Sequence, residues 1–486
     1  MAETFSLPHR PRARYQDVGL VLGPLVFLLF LFMDRPASLT AEAWDVVAIV
    51  CLMAVWWATE ALPVPATSML PLVLLPMMGV STAREASHPY TDPVIFLLLG
   101  GFIAAMGMQR WGLHKRIALN ILARAGGHPA GLIAGFMVAS ALLSMWISNT
   151  ATTLMMVPIA LSVAETVLGE KAFGHRFTIA LLIGCAWSAS IGGLGTIIGT
   201  PPNAFVVAFM EQESGVSISF LEWMLFGVPI VAVMVPAAWL VLTKIAFPFS
   251  ADEARGGDEV VAKELSELPK ISAAEKRVSI VFASMALAWV SVLAIRKIPG
   301  FEGFSNMVVA VAGALAMFLI PAKTGDGERL LDWDYAVKLP WGVLLLFGGG
   351  LSLAAAIKKT GLAVWIGEGL SVLSGAPLVL LILAIVGLVI FLTELTSNTA
   401  TTAALVPVLA AVAAVGDIDP LMLAAPTAMA ASCAFMLPVA TAPNAVIYSS
   451  GHVNIPTLAR AGLWLNVIGT FLVTAMCYAL LPIVFG

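Results

Sequence analysis

Apolar runs of roughly 16 to 25 residues follow one another along nearly the whole chain, with short polar stretches between them. They cover 18–33, 44–59, 65–79, 93–109, 131–147, 151–166, 177–210, 221–246, 277–295, 306–321, 339–357, 376–392, 400–415, 420–450 and 459–484. This length suits helices that cross a bilayer and exceeds what barrel strands need. The pattern predicts an all-α polytopic membrane protein. Two regions depart from it. The stretches 131–166 and 376–415 are each cut in the middle by polar residues, and each reads as a re-entrant helical hairpin that returns to its own side. Irregular polar backbone survives at membrane depth only where protein buries it or a cavity wets it. The runs 177–210 and 420–450 are also interrupted, by glycine and proline.

Composition agrees on the solvent. Hydrophobic residues make up 60% of the 486 positions and charged ones 11%, where a soluble domain carries about a quarter; mean hydropathy is +0.97. The net charge of −4 gives no footprint for nucleic acid. Cys51, Cys185, Cys433 and Cys477 lie far apart in apolar segments, so neither a disulfide framework nor a zinc site is indicated. The six histidines fall near segment ends or in loops, which argues against haem. Arg10, Arg12 and Arg14 precede the first run, but no small-residue cleavage site follows Met33, so 18–33 is expected to be a membrane helix rather than a signal peptide. With the N-terminus inside and both hairpins returning to their own face, 19 of the 25 basic residues fall inside, as the positive-inside rule requires. The expected organisation is a cytoplasmic tail 1–17, a first half 18–246, a cytoplasmic linker 247–276 with no function of its own, and a second half 277–486. It has about 11 crossings and an external C-terminus.

The two halves repeat. SNTATT occurs at 148–153 and again at 397–402, with Pro158 and Pro407 at the same offset. Upstream, LLLGGF at 97–102 is echoed by LLFGGG at 345–350; downstream, GTPPN at 199–203 is echoed by ATAPN at 440–444. Three landmarks in one order at near-equal spacing mean an internal duplication. Five crossings separate the hairpins, and an odd number puts them on opposite faces. Inverted repeats with broken helices and a midplane site are the architecture of secondary transporters.

Chemistry gathers at the break points. The incoming half-helices are expected to end near Ile147 and Thr396, exposing carbonyls; the outgoing ones start near Thr150 and Thr399, exposing N–H groups. Carbonyl, serine, threonine and asparagine oxygens suit a hard monovalent cation such as Na⁺. Helix N-termini suit a carboxylate or another oxyanion. An asparagine offers an acceptor to the one and a donor to the other. A single Ser-Asn-Thr would be ordinary interhelical hydrogen bonding; its duplication beside Pro-broken helices sets it apart. Glu394 beside the second motif is a candidate for carrying a proton, tuning the cation site, or bonding a neighbour. Glu60 reads as structural or solvated, the Gly-Gly pairs as close helix contacts, and the tryptophans as interface anchors and packing.

The paired SNT hairpins, each followed by a T-P-P-N-like break, make the chain resemble the divalent anion/sodium symporter family, the INDY-type di- and tricarboxylate transporters, from about Val18 onward. The resemblance implies an elevator-type homodimer with scaffold and transport domains. It implies a first sodium site at Ser144, Ser148, Asn149 and the Gly199 backbone, and a second at Thr393, the Thr396 backbone, Asn398 and the Ala440 backbone. Substrate carboxylates would meet Asn149, Thr150, Asn398 and Thr399, helped by Thr200, Pro201 and Thr441. Ser144 and Thr393 each lie four residues before an SNT serine, so the repeat supports the pairing independently. One departure is Ala442, where the family usually has proline. The expectation is sodium-coupled symport of a C4-dicarboxylate in a bacterial inner membrane, with Na⁺ as coupling ion and no organic cofactor. A sodium-independent exchanger or a carrier of sulfate or another oxyanion fits the same fold. An intramembrane enzyme is disfavoured by the lack of GxSxG, HExxH or paired-aspartate motifs in the spans, and a channel by the inverted, broken-helix architecture.

Overall fold

The computed structural model describes residues 14–249, 256–325, 327–369 and 376–486. Arg10, Arg12, most of the expected tail 1–17, and residues 250–255 of the expected linker, Arg255 among them, lie outside the described residues. Apart from one isolated bridge between Pro321 and Arg329, every regular element among the described residues is a helix. Among the described residues, ten helices are long and apolar enough to cross a membrane. Two of these, Asn149–Ala172 and Asn398–Val415, include the outgoing arms of the hairpins, while helical stretches at Val64–Met77, Asn306–Leu319 and Leu421–Ala431 are shorter.

The helices form two main contact groups, or bodies, which also touch each other. In one, Arg14–Phe32 lies against Ala41–Thr59, Asn306–Leu319 against Pro93–Arg110 and Ala273–Ile295, and Trp341–Lys359 joins the group. In the other, both hairpins surround the broken helices and pack with Phe220–Leu240 and Ile455–Phe485. The Gly-Gly motifs permit close contact both within the first group and against the second, where Gly101 faces Ile198 and Gly350 faces Phe205 and Ala403. A Cβ on Gly100 would lie 2.5 Å from the Ala310 carbonyl, and one on Gly349 would lie 2.8 Å from Ser68 Cβ. Gly100→Ala is therefore expected to lower the thermal unfolding midpoint in detergent, because overpacking against backbone costs about 1–3 kcal/mol. Gly387→Ala is the contrasting substitution. Its nearest neighbour is Thr470 Cγ2 at 3.5 Å, so the midpoint should hold or rise with the better helix former.

Contacts between loops sort into two sets. In one, Arg110 pairs with Glu328 and Asp332, Lys115 with Glu264, and Arg116 with Glu275, while Arg277 donates to the Pro321 carbonyl. In the other, Lys358 meets Glu213, Lys359 meets Glu85, and Trp365 Nε1 donates to Ser38 Oγ. The sets coincide with the loops expected on the inner and the outer face. The Thr82 N–H and the Lys359 ammonium hold the Glu85 carboxyl down at about 2.

Three features differ from the expectations. The incoming arms of the hairpins stop at Ser144 and Leu392, earlier than Ile147 and Thr396, because the reversal at each tip needs several residues of open turn. The outgoing arms begin at Asn149 and Asn398. Short helices at Leu113–Leu122 and Leu362–Gly369 join the bodies; the first is amphipathic and too polar to register as an apolar run. Finally, part of the expected linker is a helix, Gly257–Glu267. It buries Val260 and Val261 against the first hairpin and the Leu113–Leu122 helix.

Candidate functional site

Each hairpin tip faces the break of a neighbouring helix. The first broken helix runs Arg176–Gly193, opens through 194–200, and resumes as Pro201–Ser214. The second runs Leu421–Ala431, opens through 432–441, and resumes as Ala442–Ser449. Proline near each restart suits the first helical turn, where a backbone donor is not needed.

In the first repeat Ser144, Asn149 and Gly199 converge. The Asn149 amide lies 2.5 Å from Ser144 Oγ, 3.2 Å from the Ala189 carbonyl and 3.3 Å from the Gly199 carbonyl. With Nδ2 turned inward it donates to all three. With Oδ1 turned inward, four oxygens face one another, a shell that a hard cation satisfies. The chain approaches this closely only because Gly193 has no side chain: a Cβ there would sit 2.9 Å from Gly199 O and 3.1 Å from Asn149 Oδ1. Ser148 stands at the helix N-cap, and its Oγ accepts from Ala151 N at 3.2 Å. Thr150 follows, half-buried, in the first turn.

The second repeat is built alike. Thr393 Oγ1 is 2.7 Å from Asn398 Oδ1 and 2.9 Å from the Ala431 carbonyl. Thr399 is buried in the first turn of the outgoing helix, and Ala440 is buried in the break. Thr396 is expected to act through its backbone; its hydroxyl is engaged elsewhere, with Leu392 O and Thr401 Oγ1. Thr441 caps the restarting helix by accepting from Asn444 N. Thr200, buried at the head of the other restarting helix beside Pro201, lies 3.4 Å from Ser432 Oγ in the second break. The two halves therefore meet at the breaks.

Residues beyond the expected set hold this geometry. Asn203 Nδ2 donates to the carbonyls of Gly193, Leu194 and Thr196; Asn444 Nδ2 donates to those of Ala434 and Leu437. Both are fully buried and close the GTPPN and ATAPN motifs at the same place, a duplication that was visible in the sequence. Glu394 is buried as well, and accepts from the N–H groups of Phe435, Met436 and Leu437 and from Asn466 Nδ2. No lysine or arginine takes part in these contacts, and no cluster of His, Cys, Asp or Glu among the described residues has the makings of a metal site.

The arrangement gathers oxygen atoms at each hairpin tip, those of Ser144, Asn149, Ala189 and Gly199 in the first and of Thr393, Asn398 and Ala431 in the second, and starts helical segments at Asn149, Pro201, Asn398 and Ala442. A family profile described as "sodium:sulfate symporter transmembrane region" matches residues 16–484. The sodium-dependent dicarboxylate transporter SdcS of Staphylococcus aureus is 41% identical over 485 residues, covering 98% of this chain and 93% of that one. Among solved structures, the YdaH transporter of Alcanivorax borkumensis shares the fold with a TM-score of 0.57 at 15% identity, covering 95% of this chain and 96% of that one. MtrF of Neisseria gonorrhoeae gives 0.57 at 14%, covering 97% and 95%.

Proposed function

Since the chain belongs to the sodium:sulfate symporter family, we propose that it is a secondary transporter rather than an enzyme, carrying a C4-dicarboxylate such as succinate, malate or fumarate together with Na⁺. The observation that carries this reading is the pair of oxygen clusters at Asn149 and Asn398, built without a basic residue. A dianion in such a site needs its charge offset by something that travels with it. Moving one uncompensated charge costs about 2.3 kcal/mol per 100 mV, so bound sodium makes the crossing feasible. The name of SdcS supports the dicarboxylate and the sodium dependence.

The amides supply the coupling. Without a cation, Asn149 Nδ2 is spent on Ser144, Ala189 and Gly199, and its oxygen faces the anion's place. With sodium bound, Oδ1 turns to the ion and Nδ2 becomes free to donate to a carboxylate. Ser148 and the backbones of Gly199, Thr396 and Ala440 complete the cation shells. Thr150, Thr200, Pro201, Thr399 and Thr441 border the anion.

The two packed bodies support an elevator motion, with the hairpin body as transport domain and the other as scaffold of a homodimer. The N-terminus lies inside and the C-terminus outside a bacterial inner membrane. Purified protein in liposomes should take up labelled succinate under an inward sodium gradient, and uptake should fall at least tenfold with choline in place of sodium. Uptake indifferent to sodium and dependent on internal dicarboxylate would assign an exchanger instead. The family's own description names sulfate, and competition by sulfate but not by malate would move the substrate there.

A further inference from the structure

The two breaks are not equivalent. Matching GTPPN to ATAPN sets Gly193 against Ala434, yet the second broken helix already stops at Ala431, three residues short of the corresponding point. In the first break the N–H groups of Leu194 and Gly195 close local turns onto Ile191 and Gly192. Their counterparts, Phe435 and Met436, together with Leu437, turn outward and would be bare donors in the protein interior. The Glu394 carboxylate takes all three, at 2.7 to 3.0 Å, and Asn466 Nδ2 fixes the same carboxylate at 2.8 Å. At the matching place in the first hairpin stands Met145, whose backbone carbonyl accepts from Thr196 Oγ1. The carboxylate is thus a device of the second repeat alone.

Its placement reaches beyond satisfying donors. Thr393, the adjacent residue, bonds Asn398 Oδ1 and the Ala431 carbonyl. Asn444 takes the carbonyls of Ala434 and Leu437 on the loop whose N–H groups Glu394 holds. That loop leads within three residues to the Ala440 carbonyl. We propose that Glu394 is a positioning residue for the second cation pocket: it locks the hairpin tip to the 434–440 loop, so that hydroxyl, amide and carbonyl oxygens are held at one spacing, and it adds a fixed negative charge beside them. This rests on the reading that the Asn398 cluster takes sodium.

The test is a sodium titration of thermal unfolding on the full-length protein in detergent, without substrate and with choline balancing ionic strength. Wild type, Glu394→Gln and the milder Asn466→Ala are compared in an Asn149→Ala background that silences the first pocket. Glutamine offers one acceptor where three N–H groups point, and no charge. Glu394→Gln should raise the sodium concentration for half-maximal stabilisation at least tenfold, and Asn466→Ala should raise it by a smaller factor. A lower starting midpoint with an unchanged sodium dependence would mean the carboxylate only satisfies donors, and would overturn the inference. Should Glu394→Gln not fold, an unchanged sodium dependence in Asn466→Ala overturns it equally. If the Asn149→Ala parent itself gains nothing from sodium, the reading of the second pocket fails rather than the role of Glu394.

Discussion

Asn149→Ala and Asn398→Ala, made separately, should each abolish succinate uptake while leaving a folded, membrane-inserted protein. Asn149 holds the first hairpin tip to a broken helix through Ala189 and Gly199 and bonds Ser144 within the tip, while Asn398 bonds Thr393 within the second tip, and Thr393 in turn reaches the Ala431 carbonyl of the other broken helix. On the proposed mechanism the same group then meets both ion and anion. Alanine removes an acceptor to a cation and a donor to a carboxylate together. Hydrogen bonds to charged groups contribute about 1.5–3 kcal/mol apiece, so the combined loss in uptake is on the order of 100-fold or more. The backbone is already helical at both positions, and alanine is the best helix former, so the fold should survive. Uptake by reconstituted protein, beside size-exclusion profiles of each variant, checks both halves of the expectation. Substantial uptake by both variants would reduce the motif to packing.

Gly199→Ala should be as damaging by a different route. A methyl there would overlap the Gly193 carbonyl and stand 2.9 Å from Gly193 Cα. Two backbone segments cross at this point, and neither is a flexible side chain that can give way. The Gly199 carbonyl must then move away from Asn149, which opens the first pocket. Uptake should be lost, and the stabilisation of the purified protein by sodium should weaken toward that of the second pocket alone. A misplacement of an ångström is enough, because oxygen ligands around a small cation tolerate little spread. Sodium-dependent melting identical to wild type would show that the crossing has more room than the geometry indicates.

Much of this was legible in the chain. SNTATT at 148–153 and 397–402 marked the hairpin tips, and GTPPN and ATAPN marked the breaks opposite them, because only polar or Pro/Gly residues can interrupt a helix in a bilayer. The interlocking of Asn203 and Asn444 with break carbonyls was signalled by their repetition, but a buried asparagine has no sequence mark to tell it from a ligand. The partners of Glu394 were not legible. Besides Asn466 Nδ2, they are three backbone N–H groups about forty residues away, exposed because one broken helix ends early, and backbone groups leave no trace in composition. The Gly257–Glu267 helix was hidden for another reason. Its mixed charges read as a spacer, since only Val260 and Val261 supply a buried stripe.

The loop contacts have a consequence for the surface of the mature protein. Arg110, Lys115, Arg116 and Arg277 are among the basic residues expected on the inner face, where a positive bias orients a chain during insertion. In the folded molecule each is taken up by a partner: Glu328 and Asp332, Glu264, Glu275, and the Pro321 carbonyl. Paired charges contribute little to the field a short distance away. Arg110, Lys115 and Arg116, each set against a carboxylate, therefore add less to the local potential felt by anionic lipid headgroups than they would unpaired, while Arg277, bonded to a neutral carbonyl, keeps its charge. Basic residues of that set thus also cross-link distant segments of the chain.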